Sequence, residues 1–415
     1  MPATNHQHIL YLSYDGMTDP LGQSQVLPYL CGLSKMGYHF TLISHEKPDR
    51  YKQHKTQIEQ ICQNAQITWL PLAYTKKPPV LSTMYDLYRA YRLAYRLHKQ
   101  KPFQLIHCRS YPAALVGSWL KAALGIGFIF DMRGFWADER ADGGIWNLQN
   151  PMYALVYRYF KRKEITFLEE AAHTVSLTHR AETEIRSWKH LNQTKVQLSV
   201  IPCCVDLQLF DLQTITPEQK NSLRQQLGIA NSDFVLTYAG TVGTWYMLPQ
   251  MLCFFKELQS QMPHAKMLFI NSNPAEHLHI QTLAAQTGIT SGIIIAATTY
   301  AQMPLYLSLS TWSIFFIKPA YSKMASSPVK QGEIMAMGIP IVCNAGIGDT
   351  DHIIRQTGAG LVIETLHTQN YMQAAQVITQ RQPPPAQAIQ AGAYRFFALA
   401  RGVKQYAAIY QSVLP

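Results

Sequence analysis

The sequence predicts an α/β protein with two Rossmann-like domains, each a doubly wound parallel sheet, that face each other across a cleft. Short apolar runs alternate with amphipathic segments through the first half, and the same alternation returns in the second half. A polar stretch after Ile201-Pro202 separates the halves, and 415 residues are enough for two cores. Because open parallel sheets bind ligands outside the carboxyl ends of their strands, we expect a ligand between the domains.

The apolar runs have the length of buried strands, and the amphipathic segments have the length of helices. In the first domain, residues 1–200, the predicted strands are 9–13, 40–44, 105–108 and 128–131, and the predicted helices are 22–36, 83–99 and one from Ala113. In the second domain, residues 201–385, the predicted strands are 234–239, 265–270, 292–296, 312–317 and 340–343, and the predicted helices are 248–262 and 330–337. One closing amphipathic helix is expected within 386–415, after a proline run.

The charge is strongly positive and unevenly distributed. The formal net charge is +11, and residues 1–200 carry 24 Lys and Arg against 15 Asp and Glu. A basic first half suggests an anionic partner, which could be a membrane surface, phosphate groups or nucleic acid. The positive charge can equally serve solubility alone, and both interpretations stay open at this point.

Cysteine usage and the chain start favour a cytoplasmic protein without a metal. Seven Cys are scattered without metal-ligand spacing, and an odd count in a long chain is typical of reduced thiols. Residues 1–8 are polar, so no secretory signal is expected. The most apolar segment, 113–130, contains Lys121 and a Gly125-Ile126-Gly127 break, which predicts a helix, a turn and a strand.

The loop after the first predicted strand, residues 14–25, is longer and more polar than a simple turn requires. Gly22 stands where the loop opens a helix, so backbone amides there can meet an anion. Gln23, Ser24 and Gln25 can hydrogen-bond hydroxyl groups, and we predict that they bind the acceptor of a reaction. The alternative is an ordinary strand-to-helix turn.

Charged side chains follow two other predicted strands of the first domain. Asp131 and Arg133 stand at the end of one strand, beside aromatic residues, and Arg109 ends another. Strand ends at the same sheet edge are common sites of chemistry, so we predict that Asp131 and Arg133 are catalytic and that Arg109 binds the acceptor. The alternative is a surface ion pair of Arg133 with Asp138 or Glu139.

In the second domain, Gly240, Thr241, Gly243 and Thr244 form a loop of small residues between a strand and a helix. Such a loop lets backbone amides approach a pyrophosphate, so these residues are predicted to bind a donor. The spacing differs from that of a dinucleotide fingerprint, and by itself it is a weak signal.

The segment 322–340 carries the most specific pattern. Ser326 and Ser327 precede Pro328 and are predicted to cap the following helix and bind the donor. Lys323 and Lys330 flank that helix start, where cations oppose the helix dipole unless an anion lies between them. Glu333 lies one turn further, where a carboxylate can accept from ribose hydroxyls. The alternative makes these residues a solvated surface.

Residues 333–340 read Glu-Ile-Met-Ala-Met-Gly-Ile-Pro, which resembles the Glu-x-Met-Ala-x-Gly-x-Pro segment of family-four retaining glycosyltransferases, enzymes of the GT-B fold. The resemblance covers nearly the whole chain, including Ile201-Pro202 with Val205-Asp206. It implies a hexosyltransferase-like enzyme without metal, whose second domain binds a nucleotide-sugar donor and whose first domain binds the acceptor. It also implies that the last helix crosses back to the first domain.

The same resemblance implies site roles and a mechanism. Glu333 would bind the donor ribose, Gly22 would approach the diphosphate and Gly240 would line the donor loop. The anomeric configuration would be retained, with a phosphate oxygen helping to deprotonate the acceptor. Together with the basic first half, it suggests a saccharide or lipid-linked acceptor in bacterial envelope polysaccharide or glycolipid synthesis.

The sequence departs from the family pattern at the cations. The family has a second Glu where this chain has Ala325, and its Arg and Lys after the donor-loop glycine fall on Thr241 and Tyr246. Arg133 holds the place of a catalytic-site His. We hypothesise that Lys323 and Lys330 replace the missing cations at the phosphates and are catalytic.

The segment 83–101 interleaves basic and aromatic residues, namely Arg89, Arg92, Arg96 and Lys99 with Tyr85, Tyr88, Tyr91 and Tyr95. A second such segment is 153–163. Both suit an anionic membrane surface, which would place the protein peripherally at the inner face of the plasma membrane, or both are helices whose Tyr residues pack inward.

Two other functions remain compatible with the sequence. A nucleic-acid-binding protein would explain the charge, but no nucleic-acid module is recognisable, so we expect no nucleic-acid partner. A GT-B sugar-nucleotide epimerase or phosphorylase would share the fold without the transfer.

Overall fold

The computed structural model describes residues 7–414, which form two compact units. The first unit runs to Pro202 and resumes at Leu399, and the second unit is Cys203–Ala398. Each unit contains one parallel sheet flanked in sequence by helices, so the predicted pair of α/β sheets is confirmed.

The first unit is built on seven strands. They are β1 Gln7–Ser13, β2 Tyr38–Glu46, β3 Thr68–Ala73, β4 Leu105–Arg109, β5 Phe128–Asp131, β6 His173–Ser176 and β7 Leu198–Val200. Its helices before the second unit are α1 Pro20–Gln25, α2 Leu27–Ser34, α3 Pro48–Asn64, α4 Leu81–Gln100, α5 Ser110–Leu124, α6 Trp136–Asp142, α7 Pro151–Glu170 and α8 His179–Ser187. The strand order is β3-β2-β1-β4-β5-β6-β7, so the order reverses between β1 and β4, where such sheets bind ligands.

The second unit is built on six strands. They are β8 Val235–Ala239, β9 Lys266–Ile270, β10 Ile293–Ala296, β11 Trp312–Phe315, β12 Ile341–Asn344 and β13 Gly360–Ile363, in the order β10-β9-β8-β11-β12-β13. The helices are α9 Pro217–Gln226, α10 Leu248–Gln261, α11 Pro274–Gln286, α12 Met303–Leu307, α13 Val329–Ala336, α14 Thr350–Thr357, α15 Thr368–Gln380 and α16 Ala386–Phe397. The last helix, α17 Leu399–Val413, belongs to the first unit. The sheet order reverses between β8 and β11.

Two predicted helices are each broken in two. The helix expected over 22–36 is α1 and α2, separated at Val26, because Pro28 lies in the first turn of α2 and cannot continue a preceding helix. The single closing helix is wrong as well, since Ala398 is extended between α16 and α17. There the backbone pairs with another segment, and the Val205 amide donates to the Phe397 carbonyl over 2.7 Å.

The most apolar segment forms the helix, turn and strand predicted for it. α5 ends at Gly125, which adopts a left-handed conformation (φ +73°), and β5 follows. Phe128 and Ile129 of β5 are fully buried, as are Ile9 and Leu10 of β1. Within residues 7–414 no helix combines the length and apolar character that a membrane span requires.

Candidate functional site

In the second unit, the chain leaves β8 through Gly240, beside Lys330. Gly240 has φ +118°, a conformation that side chains disfavour, and a Cβ there would lie 3.0 Å from the Lys330 Nζ. Lys330 is the second residue of α13, which follows β11. Because β8 and β11 are neighbours in the sheet, their carboxyl ends bring the glycine loop and the lysine together.

Aromatic rings surround the ammonium group of Lys330. Its Nζ lies 3.6 Å from the ring centre of Tyr246 and 4.3 Å from that of Tyr238, and it is 3.3 Å from the Tyr238 hydroxyl. Among the described residues, no carboxylate lies within ion-pair distance of it. Burial lowers the pKa of Lys330 to about 7, although Glu333 acts in the opposite direction. An anionic ligand would supply the counter-charge that this cation lacks.

A second lysine lies against the adjacent aromatic residue. The Lys323 Nζ is 3.7 Å from the ring centre of Trp245, and the residue is buried. The loop is held in place by an antiparallel bridge between Tyr246 and Ile317 and by the Lys318 amide, which donates to the Trp245 carbonyl over 2.9 Å. Two consecutive aromatic residues therefore contact two lysines that lie seven positions apart in the sequence.

Glu333 is buried one turn after Lys330 on α13. The Tyr300 hydroxyl donates to its Oε1 over 3.0 Å. Burial raises the pKa of Glu333 to about 7, while the Tyr300 hydrogen bond and Lys330 limit the rise. When ionised, the carboxylate has oxygen lone pairs left to accept from a ligand hydroxyl.

The predicted capping role of Ser326 and Ser327 is wrong. Pro328 is the residue that precedes α13, and it supplies no side-chain hydrogen bond to the helix start. The Ser327 Oγ instead accepts from the backbone amide of Cys203 over 3.1 Å, more than a hundred positions away. The Ser327 hydroxyl therefore bonds to a distant backbone amide and not to the start of α13, as its position in the sequence had suggested.

The loop after Gly240 is open, as its small residues suggest. Thr241, Gly243 and Thr244 are exposed, and a Cβ at Gly243 would meet no atom within 4 Å. The Thr241 carbonyl accepts from the Tyr238 hydroxyl. The Val242 amide donates to Glu276 Oε2 over 2.8 Å, which ties the loop to α11. The three small residues themselves stay accessible from solvent.

In the first unit, charged side chains meet at the ends of β4 and β5. Arg109 and Asp131 are direct neighbours in the register of these strands. The Asp131 carboxylate lies 3.9 Å from the Arg109 Nη1, 3.8 Å from the Arg133 Nη1 and 3.5 Å from the His107 Nε2. Burial would raise the pKa of Asp131, but Arg133, His107 and Arg109 outweigh it and hold the pKa below its usual value.

The backbone is strained at both strand ends. Ser110, directly after β4, has φ +67°, and Arg133, two residues after β5, has φ +57°. Left-handed conformations of residues other than glycine concentrate at functional positions. Within the described structure, the buried Nε and Nη1 of Arg109 have no hydrogen-bond partner. The Nε also lies 3.6 Å from the Asp15 carboxylate, so ion pairs hold the guanidinium while two of its nitrogens make no hydrogen bond.

Two residues that the sequence did not single out for chemistry support this cluster. His107 is buried beside Asp131, and burial lowers its pKa. Its Nδ1 lies 2.7 Å from the hydroxyl of Tyr410, which belongs to α17. This hydrogen bond links the last helix to the centre of the first sheet. The distance between the two residues in sequence left no local signal of their contact.

The loop 14–25 is organised by Glu46, which the sequence analysis missed. This buried carboxylate at the end of β2 accepts from the amides of Met17 (2.7 Å) and Thr18 (3.0 Å) and from the Thr18 hydroxyl (2.5 Å). Its position as the only acidic residue of β2 was the available signal. These hydrogen bonds fix the loop at the carboxyl end of β2.

The polar residues of that loop are engaged with nearby backbone. A Cβ on Gly22 would lie 2.2 Å from the Gly16 carbonyl oxygen, so glycine is required there for packing. The side chain of Gln23 donates to the Thr18 carbonyl, Ser24 to the Pro20 carbonyl and Gln25 to the Ser24 carbonyl. Their predicted contacts with ligands stay predictions.

Acidic residues elsewhere form ion pairs within the protein. Asp138, in α6, accepts from Tyr157 and from Lys161 over 2.7 and 2.8 Å. Asp351, in the one Asp-x-Asp of the chain, lies 3.7 Å from Arg355. Between residues 7 and 414, no group of three or more His, Cys, Asp or Glu side chains could hold a metal ion.

Comparisons with known proteins match a family model to part of the chain and solved structures to nearly all of it. A family model described as Glycosyltransferase Family 4 matches residues 24–209. Sucrose-phosphate synthase from Thermosynechococcus elongatus aligns with a TM-score of 0.74 and 15% identity, covering 98% of this chain and 99% of that one. HepE from Anabaena, in complex with UDP and glucose, has a TM-score of 0.71 and 15% identity, covering 98% and 100%. WaaG, a glycosyltransferase involved in lipopolysaccharide biosynthesis, has a TM-score of 0.62 and 13% identity, covering 98% and 97%.

None of the curated proteins matches the sequence significantly. The family match confirms the predicted resemblance over residues 24–209, and the structural alignments confirm the predicted GT-B fold.

Proposed function

We propose that this chain transfers a hexose from a UDP-hexose donor to a saccharide or lipid-linked acceptor. It is a GT-B glycosyltransferase with a family-four domain at residues 24–209. The second unit binds the donor and the first unit binds the acceptor. The transfer retains the anomeric configuration, requires no metal and serves envelope polysaccharide or glycolipid synthesis at the cytoplasmic face of the membrane.

The observation that carries this proposal is the grouping of Lys323, Lys330 and Glu333 around the loop that begins at Gly240. Lys330 is a cation without a carboxylate partner among the described residues, and it lies beside a loop open enough for a diphosphate. Glu333 lies one turn along the same helix, where its carboxylate would accept from the ribose hydroxyls. A nucleoside diphosphate has both groups, an anion and a diol, a short distance apart.

The chemistry follows from where charge develops. As the glycosidic bond to the diphosphate breaks, negative charge builds on the leaving oxygens. Lys323 and Lys330 are already held in position by Trp245 and Tyr246, so they stabilise that charge without reorganising. An oxygen of the departing phosphate accepts the proton of the attacking acceptor hydroxyl, on the face from which the diphosphate leaves.

The first unit would position the acceptor. Among the described residues, Arg109 has two buried nitrogens without hydrogen-bond partners, and the pKa of Asp131 beside it is held below its usual value. Arg133, strained at the same edge, completes the group. We assign these side chains to acceptor hydroxyls and to orientation of the attacking oxygen. The UDP and glucose in HepE support the choice of donor, and the role of WaaG in lipopolysaccharide biosynthesis supports an envelope product.

The test is turnover with a panel of nucleotide sugars, UDP-glucose first, measured as release of free nucleoside diphosphate. Lys330→Ala should lower turnover by about a hundredfold to a thousandfold, because a preorganised charge partner of the leaving group is lost. Lys256→Ala is the matched control, since Lys256 is exposed on α10 of the same unit. Equal activity of Lys330→Ala and the control would refute the donor site.

Two outcomes of the same panel would overturn the transfer itself. Conversion of a nucleotide sugar to its epimer, without release of diphosphate, would indicate an epimerase. Absence of any donor binding, together with strong salt-sensitive binding of mixed oligonucleotides, would indicate a nucleic-acid-binding protein.

A further inference from the structure

We propose that the exposed face of α4 is a docking surface for a bilayer that contains anionic phospholipids. The face is formed by Leu81, Met84, Tyr85, Tyr88, Arg92 and Arg96. It lies in the first unit, on a helix that contributes none of the residues assigned above to the donor or the acceptor. The proposal therefore stands or falls independently of the glycosyl transfer.

The two faces of α4 differ clearly in burial. Ser82, Asp86, Leu87, Ala90 and Ala94 are buried against the unit. Tyr91 also belongs to the packed side, with its ring 6.1 Å from that of Trp119 on α5. The small residues of the buried face let the helix lie close to α5, so the larger side chains of the other face stand outward.

Large apolar side chains are exposed on the outer face. Leu81, Tyr85 and Tyr88 are 68%, 56% and 52% exposed, and Met84 is 40% exposed. The inward packing that would explain these tyrosines is therefore excluded for Tyr85 and Tyr88. Four such residues within two helical turns form an apolar patch of the kind that marks interaction sites. Aromatic rings with a polar hydroxyl suit the interface between lipid headgroups and acyl chains.

The charge of the same face has one sign. Residues 76–101 contain seven Lys and Arg and a single acidic residue, Asp86. Asp86 is fully buried and accepts from the amide and the hydroxyl of Thr75, each over 2.8 Å. Arg89 lies 3.7 Å from the Asp86 carboxylate, so among the described residues the positive charge without an ion-pair partner on the outward face is that of Arg92 and Arg96. Anionic lipids attract such a segment.

Cations and rings lie side by side on this face and along its border. Arg89 lies over the Tyr85 ring at 5.5 Å, Arg92 over Tyr88 at 5.9 Å and Lys99 over Tyr95 at 5.5 Å. A groove of about 910 Å³ runs along them, lined by tyrosine and arginine side chains and by Leu72 of β3. Phosphate headgroups can meet the arginines while the rings and Leu81 enter the bilayer interface. A nucleic acid would satisfy the arginines and leave Leu81 and Met84 in water, so a lipid surface fits better.

In the other basic segment of the first unit, one cation is used within the protein. Lys161 of α7 donates to Asp138 over 2.8 Å and to Glu164 over 2.5 Å, so its charge is used within the protein. α7 also exposes Met152, Leu155 and Tyr159, and we assign the docking surface to α4 because its exposed rings and cations line a groove.

The experiment is co-sedimentation of the full chain with vesicles of phosphatidylcholine alone or with added phosphatidylglycerol, at low and moderate salt. We expect binding only to the anionic vesicles, weakening as salt rises. Arg92→Gln with Arg96→Gln should weaken binding about fivefold for each arginine. Tyr85→Ser with Tyr88→Ser should weaken the part of the binding that survives moderate salt. All four side chains are exposed or on the exposed face, so an unchanged thermal midpoint will show that the variants fold.

The control removes the same charge elsewhere. Lys52 and Lys55 are exposed on α3 of the same unit, so Lys52→Gln with Lys55→Gln matches the arginine variant in net charge. Binding that is weakened equally by both pairs would mean diffuse attraction and would overturn the docking surface. A protein that stays in the supernatant with anionic vesicles at low salt, or that prefers oligonucleotides to vesicles, would overturn it as well.

Discussion

The ammonium nitrogen of Lys330 lies 3.6 Å from the ring centre of Tyr246, with no carboxylate in ion-pair contact among the described residues. An aromatic ring attracts a cation but does not neutralise it, so the protein holds this charge at a cost until a ligand arrives. Such an arrangement serves binding at the expense of stability. Three predictions concern it and its neighbours, and a fourth concerns the loop 14–25 of the first unit.

Lys330→Met should stabilise the protein and weaken donor binding. Methionine fills a similar volume without the half-buried, unpaired charge, and we expect the thermal midpoint to rise by about 2–4 °C, equivalent to about 1 kcal/mol. The pKa of Lys330 is lowered to about 7 by burial, so the cost is complete below pH 7 and shrinks as pH rises toward the ordinary lysine range. Thermal melts at pH 6.5 and 9 measure this, and the variant's advantage should be smaller at pH 9. A lower midpoint for Lys330→Met than for Lys256→Met would contradict it.

Donor affinity should be greatest near pH 7 and fall on both sides. The pKa of Glu333 is raised to about 7 by burial, so below pH 7 its carboxylate becomes protonated and loses the capacity to accept from two hydroxyls. The pKa of Lys330 is lowered to about 7, so above pH 7 it becomes neutral and loses its attraction for phosphate. The profile therefore has an acid limb and an alkaline limb, and on each of them the affinity should fall by up to about tenfold per pH unit. Titration calorimetry with UDP from pH 5.5 to 9 tests this.

The alkaline limb has its own control. In Lys330→Met the loss of affinity above pH 7 should disappear while the acid limb remains. An alkaline limb that persists in this variant would show that another group titrates.

Tyr300→Phe should weaken the donor site without removing any ligand contact that we assign. The Tyr300 hydroxyl donates to Glu333 over 3.0 Å and thereby limits the rise of the pKa of that carboxyl. Without it, the acid limb of donor binding should move to higher pH, and affinity at pH 7 should fall about fivefold, equivalent to about 1 kcal/mol for one hydrogen bond. Tyr394→Phe is the control, because Tyr394 is 68% exposed. An acid limb that stays in place would leave Tyr300 with a packing role only.

Glu46→Gln should loosen the loop 14–25. The amide nitrogen of glutamine would face donors that now bond to a carboxylate, including the Ser44 hydroxyl at 2.5 Å and the Met17 amide at 2.7 Å. We expect a loss of about 2–3 kcal/mol in the free energy of unfolding, together with faster hydrogen exchange at Met17 and Thr18. Glu59→Gln, exposed on α3, should change neither. Unchanged exchange at both amides would show that the loop does not depend on Glu46.

The sequence predicted strands well where burial demands a continuous apolar run. β5 was predicted with the observed bounds, and β1 and β4 within two residues at either end. It missed β3, which is half-buried, contains Pro71 and lies at the sheet edge, and β7, which is three residues long. It also missed β6 and β13, which are four residues long each. Such strands owe their conformation to the neighbour they pair with rather than to their own pattern.

The candidate donor site was predicted in its ligand-facing residues but not in its support. Gly240, Lys330 and Glu333 were identified from local motifs. Tyr238 and Tyr300, which contact Lys330 and Glu333, lie 92 and 33 positions away and belong to other strands and loops. No short motif can specify a partner at that separation, and the same limit explains why Ser327 was assigned to the helix start rather than to the Cys203 amide.

The sequence by itself determined the two α/β sheets, their order along the chain and the resemblance of residues 333–340 to a known family, because these depend on local periodicity and short-range motifs. Only the tertiary structure decided which ionisable groups are buried, which tyrosines of α4 face outward and which hydroxyl caps which backbone group. Burial and long-range contacts set the free energy of a charge, and they exist only once distant segments have packed together.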